Sequence, residues 1–271
     1  RRYFSQTDPG GKGGGTMKNA LTVARKDLGS MFNSPIFYAI TTVFLGLYSF
    51  IFFNILNFFS FQSLQAGQFS RMGISLNINE MVIEPSFHNM AVILLLMIPI
   101  ITMRSFAEEK KNKTFTLLLS SPIHLKEIIL GKFIACMTVV TTMILISSYS
   151  MGFLLFLGDP ETGPILTGYM GILLMAGCYV AIGIFSSSLT DNQIIAAVIS
   201  FGLTLFMWTI GWASQAVGAE AGGVLQNLSL IDHLEHFLKG IIDSSDLVYY
   251  LSFMIFGLFL THRVLDSYRW R

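Results

Sequence analysis

Between Arg104 and Lys113 the chain places six charges in ten residues, Arg104-Ser-Phe106-Ala-Glu108-Glu109-Lys110-Lys111-Asn-Lys113, and continues as Thr114-Phe115-Thr-Leu-Leu118-Leu. No nucleophile–base pair lies among them. No Ser-His-Asp or paired-carboxylate arrangement falls inside the apolar segments either, so no catalytic site is expected. The chemistry these residues can do is recognition: charges set register and partner choice, and an amphipathic helix laid in a groove supplies anchors. Arg104, Glu108, Glu109, Lys110, Lys113 and Thr114 are the polar candidates, and Phe106, Phe115 and Leu118 the apolar ones. A plainer reading is that the basic residues only hold the loop on an anionic leaflet, at about 1 kcal/mol each. Leaflet attraction gives no reason for the Glu108-Glu109 pair at the head of the segment.

Other candidates for chemistry are excluded one by one. The Gly-Gly-Lys-Gly-Gly-Gly run at 10–15 and the Gly131-Lys132 pair both lack the G-x-x-x-x-G-K-[ST] spacing of a phosphate loop, so the chain is expected to bind no nucleotide itself. Asp232, His233, Glu235 and His236 cluster, but two histidines at i, i+3 lack the second ligand pair of a closed metal site. No metal site is expected. Cys136 and Cys178 both fall in apolar runs and read as small buried hydrophobes.

These charges hang on an apolar frame. Of 271 residues, 53% are hydrophobic and 12% charged, and the formal net charge is +1; soluble chains average about 25% charged residues. The composition points to an all-α integral membrane protein and gives no sign of a nucleic-acid partner. Residues 1–16, polar and glycine-rich, read as a flexible leader or cloning remnant, and 17–271 as one transmembrane domain. An amphipathic interfacial helix is expected at 18–33, carrying Arg25, Lys26 and Asp27, and Pro35 ends it. Six spans follow at about 36–59, 87–106, 131–157, 165–189, 193–213 and 247–265, each long enough for ~30 Å of hydrocarbon. Residues 60–86 suit a surface helix or hairpin, and 224–242 a helix dipping toward the membrane. Pro99 inside span 2 is a candidate hinge, with a static kink as the alternative. Gly177 and Ala181 form a small-xxx-small pair that serves either a second subunit or packing within the chain.

Charge orients the frame. With both termini cytoplasmic, twelve Lys and Arg lie inside and only Arg71 and Lys239 outside, while the outer loops collect acids. The span interiors hold almost no ionisable groups, which disfavours an ion-coupled carrier.

The segment Arg104-Ser-Phe-Ala-Glu108-Glu109-Lys110…Thr114, Leu117-Leu-Leu-Ser-Ser-Pro122 and Glu127-Ile-Ile-Leu-Gly131-Lys132 resembles the permease subunit of type-2 ABC exporters. The branch it resembles most is the one tied to gliding motility and copper-site (Nos-type) maturation. Ala181-Ile-Gly183-Ile-Phe185, Ser188-Leu-Thr-Asp191-Asn192-Gln193 and Arg269-Trp270-Arg271 add to the likeness, which covers about 18–271. The resemblance implies a coupling helix at about 106–119, docked on a P-loop ABC ATPase subunit that binds ATP and Mg²⁺. It also implies an assembly with a second permease, homomeric or heteromeric, in the bacterial plasma membrane. The first helix would lie beneath spans 1 and 5. The expected function is ATP-driven export; the alternative is an ATPase-driven anchor or force-transmitting scaffold acting on envelope proteins.

Overall fold

The computed structural model describes residues 14–65, 77–115, 123–158, 160–216, 223 and 226–268. Among these the secondary structure is helical, with no strand. Six helical segments are long and apolar enough to cross a membrane: Pro35–Leu64, Asn79–Lys111, Leu125–Phe156, Thr162–Leu189, Gln193–Gly211 and Ser244–Tyr268.

The chain opens with α1 (Gly14–Phe32), and Ser34 starts α2 (Pro35–Leu64) by accepting from the Ile36 amide at 3.4 Å with Pro35 in the first turn. A π-turn, Asn79–Ile83, leads into α3 (Glu84–Thr102). This start is earlier than residue 87, because the Asn77 side chain accepts from the Asn79 amide and Val82 and Ile83 are already in the core. After Met103 comes α4 (Arg104–Lys111). The third span is α5 (Leu125–Ser147) and α6 (Tyr149–Leu157), separated at Ser148. The remaining helices are α7 (Thr162–Leu189), α8 (Gln193–Ala216), α9 (Leu230–Leu238) and α10 (Ser244–Tyr268).

The bundle is built around α7. Of the residues in its most apolar stretch, 78% are buried, against 22% for α2 and 17% for α10, so α7 is central and the other two peripheral. It packs on α3, α4, α5, α8, α9 and α10. Small residues permit this. A Cβ on Gly177 would come within 2.4 Å of the Met254 sulfur, and one on Gly257 within 3.0 Å of the Ala181 Cβ. The Gly177/Ala181 pair is therefore occupied by α10 of the same chain.

Two elements sit at opposite ends. The α9 helix, capped by Ser229 accepting from the Asp232 amide, lays Leu234 and Phe237 on Gly171 of α7 and stops at Gly240, where φ is +82°. At the other end α1 lies chiefly along α5, with a smaller contact on α2, where it was expected beneath spans 1 and 5. Gly131 makes that possible: a Cβ there would stand 2.7 Å from the Ala20 carbonyl oxygen and 2.8 Å from the Val23 Cβ. The turn between α7 and α8 is capped by Asn192, whose side chain accepts from the Ile194 amide at 2.9 Å.

Candidate functional site

The charged segment 104–113 begins where α3 breaks. Pro99 is inside α3, but the helix runs through it to Thr102, and the discontinuity falls at Met103. Tertiary contact explains the position. Gly183 of α7 admits Thr102 so closely that a Cβ on Gly183 would meet the Thr102 Cβ at 2.6 Å. One turn further along α7, the buried Ser187 hydroxyl accepts from the amides of Phe106 and Ala107, both at 3.0 Å, and donates to the Met103 carbonyl at 2.9 Å. A hydroxyl has one proton and two lone pairs, and here all three serve the break. Two orphan amides at the start of α4 are thereby satisfied.

The α4 helix is short and strongly two-sided. Ser105, Phe106 and Ala107 are buried, and Phe106 stands edge-on to the buried Phe115 at 6.2 Å. Lys111, Asn112, Lys113 and Thr114 are exposed. The helix stops at Lys113, which takes the left-handed conformation (φ +56°) while the Thr114 amide returns to the Glu109 carbonyl at 3.0 Å.

Charge then ties α4 to its neighbours. The side chain of Lys132, on α5, is only 4% exposed, and its Nζ donates to Glu109 Oε1 at 2.8 Å and Asp27 Oδ2 at 3.0 Å. It also lies 5.1 Å from the centre of the Phe106 ring. One ammonium thus joins α1, α4 and α5. A lysine that deep is stable only if paired, and two carboxylates from separate elements do so. Lys132 was expected near the start of a span at 131; α5 begins at Leu125, where Glu127 accepts from the His124 amide in a capping box, and so carries Lys132 two turns inside the helix. Glu127 also accepts from the Asn19 side chain at 3.0 Å, a second polar tie between α1 and α5. Lys110 donates to the Ser188 carbonyl of α7 and stands 3.7 Å over the Tyr268 ring at the end of α10.

The sequence candidates therefore separate. Asp27, Glu109 and Lys110 are brought together around Lys132 and Ser188, while Phe106 and Phe115 pack into the chain's own core. Arg104 and Glu108 are half-buried along a cavity beside α1, and Arg25 and Lys26 are exposed on α1. Lys113 and Thr114 are at the exposed tip, and Leu118 lies outside the described residues. Ser187 was not singled out, and Gly183 and Lys132 were noted for the family likeness but not as site residues. A signal existed for the last: a charge seven residues into an apolar helix must have a partner.

At the α9 end, both oxygens of the buried Asp246 are taken, by His233 Nδ1 at 2.6 Å and His236 Nδ1 at 2.9 Å. His233 Nε2 faces the Asn227 carbonyl and its ring stacks on Tyr249. This ties α9 to α10. Among the described residues no group of side chains is arranged to hold a metal ion. Asp232 in the same helix has its carboxyl pushed up, first by burial, with the Ser229 hydrogen bond opposing.

Described residues that are helical throughout their regular structure, with six helices long and apolar enough to cross a membrane and a short charged helix after the second, have the form of a multi-pass membrane protein. Residues 21–254 match the family described as ABC-2 family transporter protein, and the chain belongs to it. No individual curated protein matches the chain.

Proposed function

We propose that the chain is the permease of an ABC-2 exporter, with ATP and Mg²⁺ bound on a separate P-loop subunit docked on the 104–132 loop. The observation that carries this is the wiring of α4. Its outer tip is exposed, while its inner face is tied by Ser187 to α7, by Glu109–Lys132 to α5 and α1, and by Lys110 to α7 and α10. A displacement imposed on the tip has three load paths into the bundle. ATP-driven closure of two partner subunits would then shift the bundle between two states by differential binding. In this reading both termini are cytoplasmic, the membrane is the bacterial plasma membrane, and two permeases pair. The likeness to the gliding-motility and copper-site branch belongs to the same proposal.

Charge reversal at Glu109 would test docking poorly, because it would set a second ammonium against Lys132. Lys111 is exposed and suits the purpose. Lys111→Glu should leave the isolated chain folded and weaken capture of the ATPase about tenfold, the scale of one well-placed interfacial charge. The measurement is copurification from the native membrane in mild detergent, with ATP hydrolysis assayed on the product. A P-loop subunit retained equally by both forms would reject the docking site. A retained ATPase with stoichiometric envelope proteins and no substrate flux would replace export by force transmission.

A further inference from the structure

At the end of the bundle opposite α1 and α4, three polar contacts run through two histidines and one carboxylate. Asp246 of α10 is 1% exposed, and its two oxygens meet His233 Nδ1 at 2.6 Å and His236 Nδ1 at 2.9 Å. The other ring nitrogen of His233, Nε2, stands 3.1 Å from the Asn227 carbonyl oxygen, just ahead of α9. Turning the His233 ring over would put the carbon Cδ2 where Nδ1 now faces the carboxylate, so the contacts themselves fix the ring's orientation.

Protons can be counted through these contacts. A carbonyl oxygen and a carboxylate only accept, so each of the three contacts needs a proton of its own. Two neutral imidazoles bring two, and an ionised Asp246 brings none. The third proton is an addition, and it makes His233 an imidazolium with both nitrogens donating. Placing it on Asp246 instead, as an acid donating to His233 Nδ1, leaves the total unchanged. The added proton also cancels the charge of a buried carboxylate that pairs with no Lys or Arg among the described residues. The surroundings favour it: Asp232 acts on His233 and Asp243 on His236 as negative charges, while Glu235 pairs with Lys239 at 3.6 Å. On α10, Tyr249 stacks on the His233 ring at 3.9 Å and Tyr250 lies at 6.2 Å. Of the other helices packed on α9, α7 contributes Tyr169, Cys178 and Tyr179 but no Asp, Glu, His, Lys or Arg, and α8 has no titratable side chain.

We propose that this trio is a proton-operated latch: with the added proton bound, α9 and the 226–229 segment ahead of it are fastened to α10, and loss of that proton as pH rises releases them. Without it, one of the three contacts sets two acceptors face to face. The segment is otherwise held by the Tyr249 hydroxyl donating to the Leu228 carbonyl at 2.7 Å and the Tyr250 hydroxyl donating to the Leu230 carbonyl at 2.8 Å, so the release is local. Once unconstrained histidines are neutral, above about pH 6.5, the closed latch binds one proton more than the open one. Rising pH therefore favours opening, by up to about tenfold per pH unit, the linkage of a single proton. The latch is made of this chain alone and stands independently of any ATPase.

The test is hydrogen exchange of the full chain in one detergent from about pH 6 to 9, the range that spans histidine titration, read on peptides covering 226–238. Asp246→Asn is the reference at each pH, which cancels the intrinsic rise of exchange with base. An amide at 246 donates to His233 Nδ1 and accepts from His236 Nδ1, so neutral imidazoles satisfy all three contacts and the latch stays shut without the proton. The ratio of parent to Asp246→Asn exchange should climb by up to about tenfold per pH unit. His236→Gln leaves the demand on His233 intact and should keep the parent's slope, whereas His233→Gln should raise exchange at every pH and flatten the slope. Equal exchange of parent and Asp246→Asn across the range overturns the latch. Should Asp246→Asn fold poorly, parallel profiles for His236→Gln and His233→Gln overturn it just as well, since only His233 faces two acceptors.

Discussion

Replacing Lys132 with methionine removes one ammonium and keeps most of the side-chain volume, so packing is nearly conserved and the electrostatic loss is isolated. Two charge-assisted hydrogen bonds disappear, at 2.8 and 3.0 Å, each with a net worth of about 1.5–3 kcal/mol. Asp27 and Glu109 are then left facing each other without a cation. Their side chains are 17% and 18% exposed, so water reaches both and part of the repulsion is screened. The expected loss is accordingly about 3 kcal/mol, the low end of the range for stripping one partner from a buried pair. For a chain of this size that is a fall in Tm of about 10 °C. The triple variant Asp27→Asn, Glu109→Gln, Lys132→Met removes every charge together and should recover most of the loss. Unfolding is followed by tryptophan fluorescence in one fixed detergent. A Lys132→Met variant within about 1 kcal/mol of the parent would refute the argument, as would a triple variant no better than the single one. Either result would mean that the three elements are held by packing alone, and that the ammonium transmits nothing between them.

Ser187→Ala leaves the Phe106 and Ala107 amides without an acceptor and should cost about 2–4 kcal/mol. Hydrogen exchange should rise at those two amides first, and uniform exchange along α4 would contradict the capping role. Gly131→Ala sets a Cβ against the Ala20 carbonyl and Val23, both under 3 Å, and should cost about 1–3 kcal/mol. Since α1 must lift, Asp27 should also become more reactive to a water-soluble carboxyl reagent; unchanged labelling would show that α5 yields instead.

What the sequence made legible was whatever depends on length and charge. Apolar runs bounded by turns are enough for six spans, because a lipid solvent leaves few alternatives to a helix. Choices made between helices were not legible. Proline at 99 marks the position that lacks a donor, yet the chain breaks at Met103, since Gly183 and Ser187 of another helix decide where amides are left unpaired. The small residues at 177 and 181 announce close packing and are silent on the partner, which proves to be α10.

Phe106 and Phe115 show the same ambiguity most sharply. An amphipathic segment declares an apolar face, and hydrophobicity is not directional; the same two rings could serve a foreign groove or the chain's own core. Burial assigns them inward. That changes which residues are open to a partner: of the described residues in this segment, Lys111, Asn112, Lys113 and Thr114 are exposed, while Glu109 and Lys110 behind them are tied into the bundle. A coupling element needs both sets of contacts, because a tip that binds without ties moves nothing, and ties without an exposed tip have nothing to receive. The members of the charge run at 104–113 face two ways, and only a folded neighbour tells which faces where.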